Sequence, residues 1–313
     1  MTDETVTQEI APILPELIAI RKDIHAHPEL GMEETRTAAL VAARLRSLGI
    51  ETTEGIGRMG VVGTLRGKRP GQGAIGLRAD MDALALTEAT NLPYASQNAG
   101  KMHACGHDGH TAMLLGAAQI LAQNRDFAGT VHFIFQPAEE GRGGAQAMLD
   151  DGLFERFPCD AVYGMHNMPG IPVGAFGIRD GAMMAAADTV DILITGKGGH
   201  AAKPQETIDS IVVGSTLVLA LQTIASRNAD PIGQIVVSVT SFETSSKAFN
   251  VIPQRVHLKG TVRTMSGEMR DLAETRMKEI SAGIAATYGA KIEVNYKRNY
   301  PVMVNHEEHT AYA

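Results

Sequence analysis

The feature that most constrains the fold is the run 131–135, VHFIF, which is too apolar along its length for a strand with one wet face. A strand of that kind is buried on both sides, and such strands belong to sheets covered by helices on each face. The rest of the first half agrees. Segments 61–65 and 74–77 read as short β-runs, and 161–165 as another strand of the buried type. Ile10, Ile13, Leu14, Leu17 and Ile18 repeat at helical spacing, a second helical pattern runs over 35–48 and stops at Gly49, and a third covers 110–123. Strands alternating with helices predict an α/β domain around a central, mostly parallel sheet.

From Thr189 the pattern changes to strand 189–195, helix 206–227, strand 234–242, strand 255–264, helix 268–287 and strand 291–297. This β-α-β-β-α-β order is that of a ferredoxin-like α+β unit, with helices on one face of an antiparallel sheet. The expected organisation is a catalytic domain over 1–185, an inserted domain over 186–298, and the start of a return to the first domain over 299–313. A chain of 313 residues has room for two such cores.

Charge and composition remove several classes of function. The net charge of -7, with no Lys/Arg stripe, would repel phosphate backbones, so no nucleic-acid partner is expected. The opening MTDETVTQEIAPILPEL is acidic and lacks a basic start followed by an apolar core, so export is not expected. The longest apolar stretch, 211–224, is short for a bilayer and reads as a buried helix, which predicts no membrane association. Two cysteines, Cys105 and Cys159, make no disulfide framework and suit a reduced, cytoplasmic setting.

The ends of the expected strands carry the chemistry. In open α/β sheets ligands gather at the carboxyl ends of strands. Here one strand leads into Asp80 and Asp82, a second into Gln136-Pro137-Ala138-Glu139-Glu140, and a third into His166. The segment HACGHDGH, 103–110, adds Cys105 and His107 two residues apart just before a helix, so that thiolate and imidazole can reach one ion while Gly106 permits a tight backbone. Glu139 and Glu140 suit metal hydrolysis if one holds the ion and the other takes a proton from water. Singly, each of these residues has a plainer reading: a cysteine is usually a small buried hydrophobe, and a Glu-Glu pair usually lies on a solvated surface, as expected for Glu33-Glu34. Their coincidence at several strand ends favours a site. His103 and His110 would overfill it and are read as supporting or helix-capping groups. Asp82 is placed to orient a ligand imidazole, with loop capping an equal reading for Asp80 and Asp82.

In the second domain, Gly196-Lys197-Gly198-Gly199-His200 lacks the spacing of a phosphate loop and reads as a flexible loop presenting His200, a candidate oxyanion donor. Asn250 and Arg263 are candidates for an amide donor and a carboxylate clamp.

These segments resemble the M20 metallopeptidase family, in particular its amidohydrolase branch of hippurate hydrolases and auxin-conjugate (IAA-amino acid) hydrolases. The resemblance rests on Ile24-His25-Ala26-His27-Pro28-Glu29-Leu30-Gly31, Arg78-Ala79-Asp80-Met81-Asp82-Ala83-Leu84, 103–110, Gln136 to Gly141, Gly164-Met165-His166-Asn167, Gly196 to Pro204, Phe249-Asn250-Val251-Ile252-Pro253 and Gly260-Thr261-Val262-Arg263-Thr264. It covers nearly the whole chain. It implies a dinuclear site of two divalent ions (zinc, manganese, nickel or cobalt) held by Cys105, His107, Glu140 and His166, with Glu139 as general base. It also implies homodimerisation through the inserted domain, His200 reaching the partner's active site, and Asn250 and Arg263 contacting substrate.

The implied activity is metal-dependent hydrolysis of the amide of small N-acyl amino acids of the hippurate or N-acetyl type. Two alternatives stand beside it. Dipeptides or N-acetyl-diaminopimelate would use the same machinery. In the family the first domain resumes after the insertion and adds a further histidine ligand, whereas this sequence ends at Ala313, so a catalytically silent metal-binding or dimerising homologue is the other expectation.

Overall fold

The computed structural model describes residues 8–313; the first seven residues of the acidic opening lie outside them. The chain forms two compact units, 1–173 and 174–313.

The first unit runs α1 (Leu14–Ala26), α2 (Thr35–Ser47), β1 (Glu51–Ile56), β2 (Gly60–Arg66), β3 (Arg69–Asp80), α3 (His107–Asn124), β4 (Ala128–Gln136), α4 (Gly144–Asp150), α5 (Leu153–Arg156) and β5 (Ala161–Gly164). Its sheet has the order β1-β2-β4-β3-β5. As its apolar run requires, β4 lies at the centre and is buried on both faces. Val131, Phe133 and Phe135 join Val41, Leu45 and Leu115 in one core, while Ile134 joins Ile56, Val62, Met148 and Leu153 in another.

The expectation of a mostly parallel sheet is corrected: the sheet is mixed. Strand β3 is parallel to β4 and β5, but β2 is antiparallel to both β1 and β4. The physical reason is the short turn between β1 and β2, which returns the chain antiparallel where a parallel pair would need a long crossover. Strand β5 also departs from expectation. It is an edge strand with alternating half-exposed residues, not one buried on both faces.

The second unit contains β6 (Gly181–Met184), β7 (Ala186–Thr195), β8 (Gly199–His200), α6 (Ser210–Thr223), β9 (Ile235–Thr244), β10 (Val251–Ile252), β11 (Arg255–Thr264), α7 (Gly267–Tyr288), β12 (Lys291–Tyr300), β13 (Met303–Asn305) and α8 (Glu307–Tyr312). Strands β7, β9, β11 and β12 form an antiparallel sheet in the order β12-β7-β11-β9, and with α6 and α7 they follow the β-α-β-β-α-β order read from the sequence. Period-two burial along β7 sends Val190, Ile192 and Ile194 into one core with Val213, Leu217 and Leu221 of α6 and Ala273 and Met277 of α7. Both helices therefore cover the same face. Asp209 caps α6 by accepting from Ile211 N–H and Val212 N–H. With its terminal π turn this helical segment, Ser210–Asn228, is long and apolar enough to cross a membrane. That exceeds the shorter stretch read from the sequence, and Leu217 and Leu221 on its inner face are fully buried in the second unit's core.

Candidate metal centre

Four segments of the first unit deliver the site. Strand β3 ends at Asp80, with Asp82 two residues on; the loop after β4 carries Glu139 and Glu140; and the segment after β5 carries His166. Helix α3 starts at His107, three residues before the expected start, so His107, Asp108 and His110 all lie in its first turn. Gly106 precedes it at φ +88, and a Cβ there would meet the Asn167 side chain at 2.5 Å. A non-glycine at this point would be strained and would displace Asn167.

His107 is the hub. Donor atoms of Cys105, His107 and His166 lie within 4.8 Å of one another; so do those of His107, Glu139 and Glu140, and of Asp80, His107 and His110. The His107 ring is fully buried. Its Nδ1–H donates to Asp82 Oδ1 at 3.2 Å, and its Nε2 has no hydrogen-bond partner, facing Asp80 Oδ2 at 3.7 Å and Glu140 Oε1 at 3.9 Å. A buried polar atom without a partner is costly, and an imidazole nitrogen so placed among thiol and carboxylate groups is a ready metal donor. His166 is arranged alike: its Nδ1–H donates to the Asn167 carbonyl at 2.6 Å, leaving Nε2 at 3.3 Å from Cys105 Sγ. The donors therefore fit a divalent ion, and thiolate, imidazole and carboxylate together suit several first-row metals.

The local field favours positive charge. Burial opposes protonation of His107, but its bond to Asp82 and the charges of Asp80 and Asp82 outweigh this and push it up to about 11. Asp80 is buried, which would raise its carboxyl, yet the hydrogen bond from His110 and the adjacent Arg78 hold it well below the usual carboxylate range. Glu139 moves the other way: burial, then the negative charges of Glu140 and Asp80, push its carboxyl up.

Of the expected ligands, Cys105, His107 and His166 form one donor group, and Glu140 joins His107 and Glu139 in a second that shares only His107 with the first. Asp82 contacts His107 as anticipated and also accepts the backbone N–H groups of Glu139 at 3.0 Å and Glu140 at 2.9 Å. His110 and Asp80 are engaged with each other at 2.6 Å, and Asp80 with Arg78 at 2.7 Å. His110 Nε2 also accepts from Asn167 N–H at 3.0 Å, so this histidine steadies the turn that carries His166.

In the second unit, His200 on β8 pairs with Val251 on β10, and Ala201 N–H donates to the Asn250 carbonyl, which brings His200 and Asn250 to one exposed ladder. Arg263 is exposed on β11, and its guanidinium donates to Thr261 Oγ1 and the Val262 carbonyl.

Two features escaped the sequence reading. Glu34 is not one of a solvated pair with Glu33: it is fully buried. A second buried cluster lies around Asp108, which accepts from His25 at 2.8 Å and Arg21 at 2.8 Å, while His25 Nε2 lies 3.3 Å from Glu88. A usable clue existed for Glu34. The buried positions Thr37, Ala38, Val41, Ala42 and Leu45 of α2, extended back by helical steps of three and four, land on it.

A mixed sheet with metal-competent donors at its strand exits marks a metal-binding α/β protein. The chain belongs to peptidase family M20/M25/M40, whose family pattern matches residues 76–313. It is 47% identical over 305 residues to a hippurate hydrolase of Campylobacter jejuni, covering 97% of this chain and 79% of that protein. It is 42% identical over 310 residues to an N-acyl-L-amino acid amidohydrolase of Geobacillus stearothermophilus, covering 98% of this chain and 83% of that protein. The crystal structure of a dinuclear metal-binding peptidase of family M20 from Bacillus subtilis superposes with a TM-score of 0.80 at 37% identity, covering 96% of this chain and 78% of that one. The protein is thus a metal-dependent amidohydrolase of this family.

Proposed function

We propose that the protein hydrolyses the amide bond of N-acyl amino acids, of the N-benzoyl or N-acetyl type, with Cys105, His107, Glu140 and His166 holding two divalent ions and Glu139 acting as general base. The observation that carries this reading is the convergence of the donor sets on His107, with Glu139 and Glu140 adjacent in one of them. The substrate class is supported by the hydrolases named among the relatives.

The ions, when bound, supply Lewis acidity that polarises the scissile carbonyl and lowers the pKa of water. The chain supplies the proton handling. Glu139 accepts a proton from the attacking water and returns it to the leaving amine. Asp82 keeps Nδ1 of His107 protonated, so that Nε2 is the donor. His200 from a second copy would steady the developing oxyanion, with Asn250 and Arg263 contacting the amide and carboxylate of the substrate.

Pairing of two copies through the second unit, as an inserted dimerisation domain over 186–298, is supported by the outer face of α6, where Leu219 is 72% exposed beside exposed Ile211 and Val212. Strand β9, at the sheet edge, adds exposed Val236 and Phe242. The two free cysteines suit a reducing cytoplasm.

Glu139→Gln tests the mechanism. In the metal-loaded full chain it should lower kcat on N-benzoylglycine or N-acetyl amino acids by about 10²- to 10⁴-fold at unchanged metal content. Full activity with metal still bound would sink the assignment, and a panel that includes dipeptides would separate the substrate classes.

A further inference from the structure

The loop after β4 holds its two glutamates on an unusual backbone. Ala138 is fully buried and left-handed, at φ +51. A non-glycine residue in that conformation carries strain of about 1–3 kcal/mol and persists only where its surroundings over-determine it. Here they do. Three consecutive backbone donors are taken by two buried carboxylates: Ala138 N–H by Glu34 Oε1 at 2.7 Å, and Glu139 N–H and Glu140 N–H by the two oxygens of Asp82.

The approach from the Glu34 side is close. A Cβ on Gly31 would stand 2.9 Å from Ala138 Cα, so the turn before α2 lies directly against the turn after β4. Arg142 ties the same two turns by donating to the Gly31 carbonyl at 2.9 Å. Glu34 stands at the N-cap position of α2 yet makes no side-chain cap bond to its own helix. Its carboxylate is spent on Ala138.

We propose that Glu34 is a positioning residue for catalysis: by accepting the Ala138 N–H it sets the left-handed turn that fixes where the Glu139 carboxylate stands. It acts through the backbone and holds neither ion nor substrate. The inference rests on the reading of Glu139 as general base. Small displacements of a proton acceptor lower the chemical step while leaving ground-state binding nearly intact, so the effect belongs in kcat.

The test compares Glu34→Ala, which removes the acceptor, with Glu34→Gln, which retains an acceptor oxygen for Ala138 N–H, both as cobalt-loaded full chains. Glu34→Ala should lower kcat by about 10- to 100-fold with KM within about threefold, and Glu34→Gln should recover most of that loss. Hydrogen exchange of the amides of residues 138–140, followed by mass spectrometry, should accelerate in Glu34→Ala and much less in Glu34→Gln, at equal cobalt content. If Glu34→Ala does not fold, the same comparison is made in an Ala138→Gly background, because glycine accepts φ +51 without strain. Activity of Glu34→Ala within about twofold of wild type, with Glu139→Gln inactive, overturns the inference alone. An equal fall in Glu34→Ala and Glu34→Gln overturns it too, because the acceptor oxygen is then not what matters. An active Glu139→Gln removes the general base itself, and this inference with it.

Discussion

Glu34 has a carboxyl group without access to solvent and with a buried donor, Ala138 N–H, on one oxygen; the other, Oε2, has no partner. Burial pushes it up to about 7, against the pull of its own backbone N–H and that of Ala138 and with the charges of Asp82 and Glu29 adding to the rise. A folded pKa above the unfolded value of 4.5 means that the group's contribution to stability is full below about pH 4.5 and is lost as pH rises through about 7. The difference amounts to about 3 kcal/mol. Glu34→Gln cannot ionise, so in chelator-treated protein its melting temperature should gain on wild type between about pH 5 and about pH 8. Parallel melting curves across that range would contradict this. The same residue marks how far single positions were legible. Cys105, His107, Glu139, Glu140 and His166 stand out in the sequence because each lies just after a strand or at the approach to a helix, where metal-competent side chains converge. Glu34 follows no strand, and its burial depends on Gly31 and Ala138, which are 107 residues apart in sequence and adjacent only in the fold.

At the scale of elements, the strands were visible where burial patterns them. The alternation along β7 and the apolar run of β4 suffice to place both sheets. Strand β1, ETTEGI, buries only Ile56, so hydrophobicity could not reveal it, and with it went the hairpin that makes the first sheet mixed. Polar contacts between elements were equally hidden. Asp188 on β7 is buried and accepts from Arg270 of α7 at 2.9 Å, from the Tyr296 hydroxyl of β12 at 2.8 Å and from Asn299 N–H at 3.2 Å, tying two strands and a helix at one point. Burial would raise its carboxyl, but the Arg270 and Tyr296 hydrogen bonds hold it below its ordinary value. Asp188→Ala should cost about 3–5 kcal/mol, because it leaves the mostly buried Arg270 charge uncompensated. Replacing both partners, as Asp188→Leu with Arg270→Met, should cost less than the single change, the remaining cost being the Tyr296 hydroxyl and Asn299 N–H left without their acceptor. Denaturant unfolding of the three chains checks this, and a double variant as unstable as the single one would show that the ion pair is not the source.

For the whole molecule, the separation of cores carries a consequence for unfolding. The first unit is built on the clusters around Phe133 and Ile134, the second on the cluster around Ile192 and Leu217, and no residue belongs to both sets. Every group of metal donors found among the described residues lies in the first unit. A ligand that binds only the folded form stabilises it by RT ln(1 + [L]/Kd), about 4 kcal/mol at a thousandfold excess over Kd. Metal should therefore stabilise one core and leave the other where it was. Calorimetry of the full chain with cobalt or zinc, against the same chain with a chelator, should show two transitions of which only one moves upward with metal. Replacing both Cys105 and His107 with alanine should abolish that movement and leave the stationary transition in place, since neither residue contributes to the second core. A single transition that shifts as a whole would instead mean that the two cores unfold together. In that event the division at Val173 and Gly174 describes packing and not cooperativity.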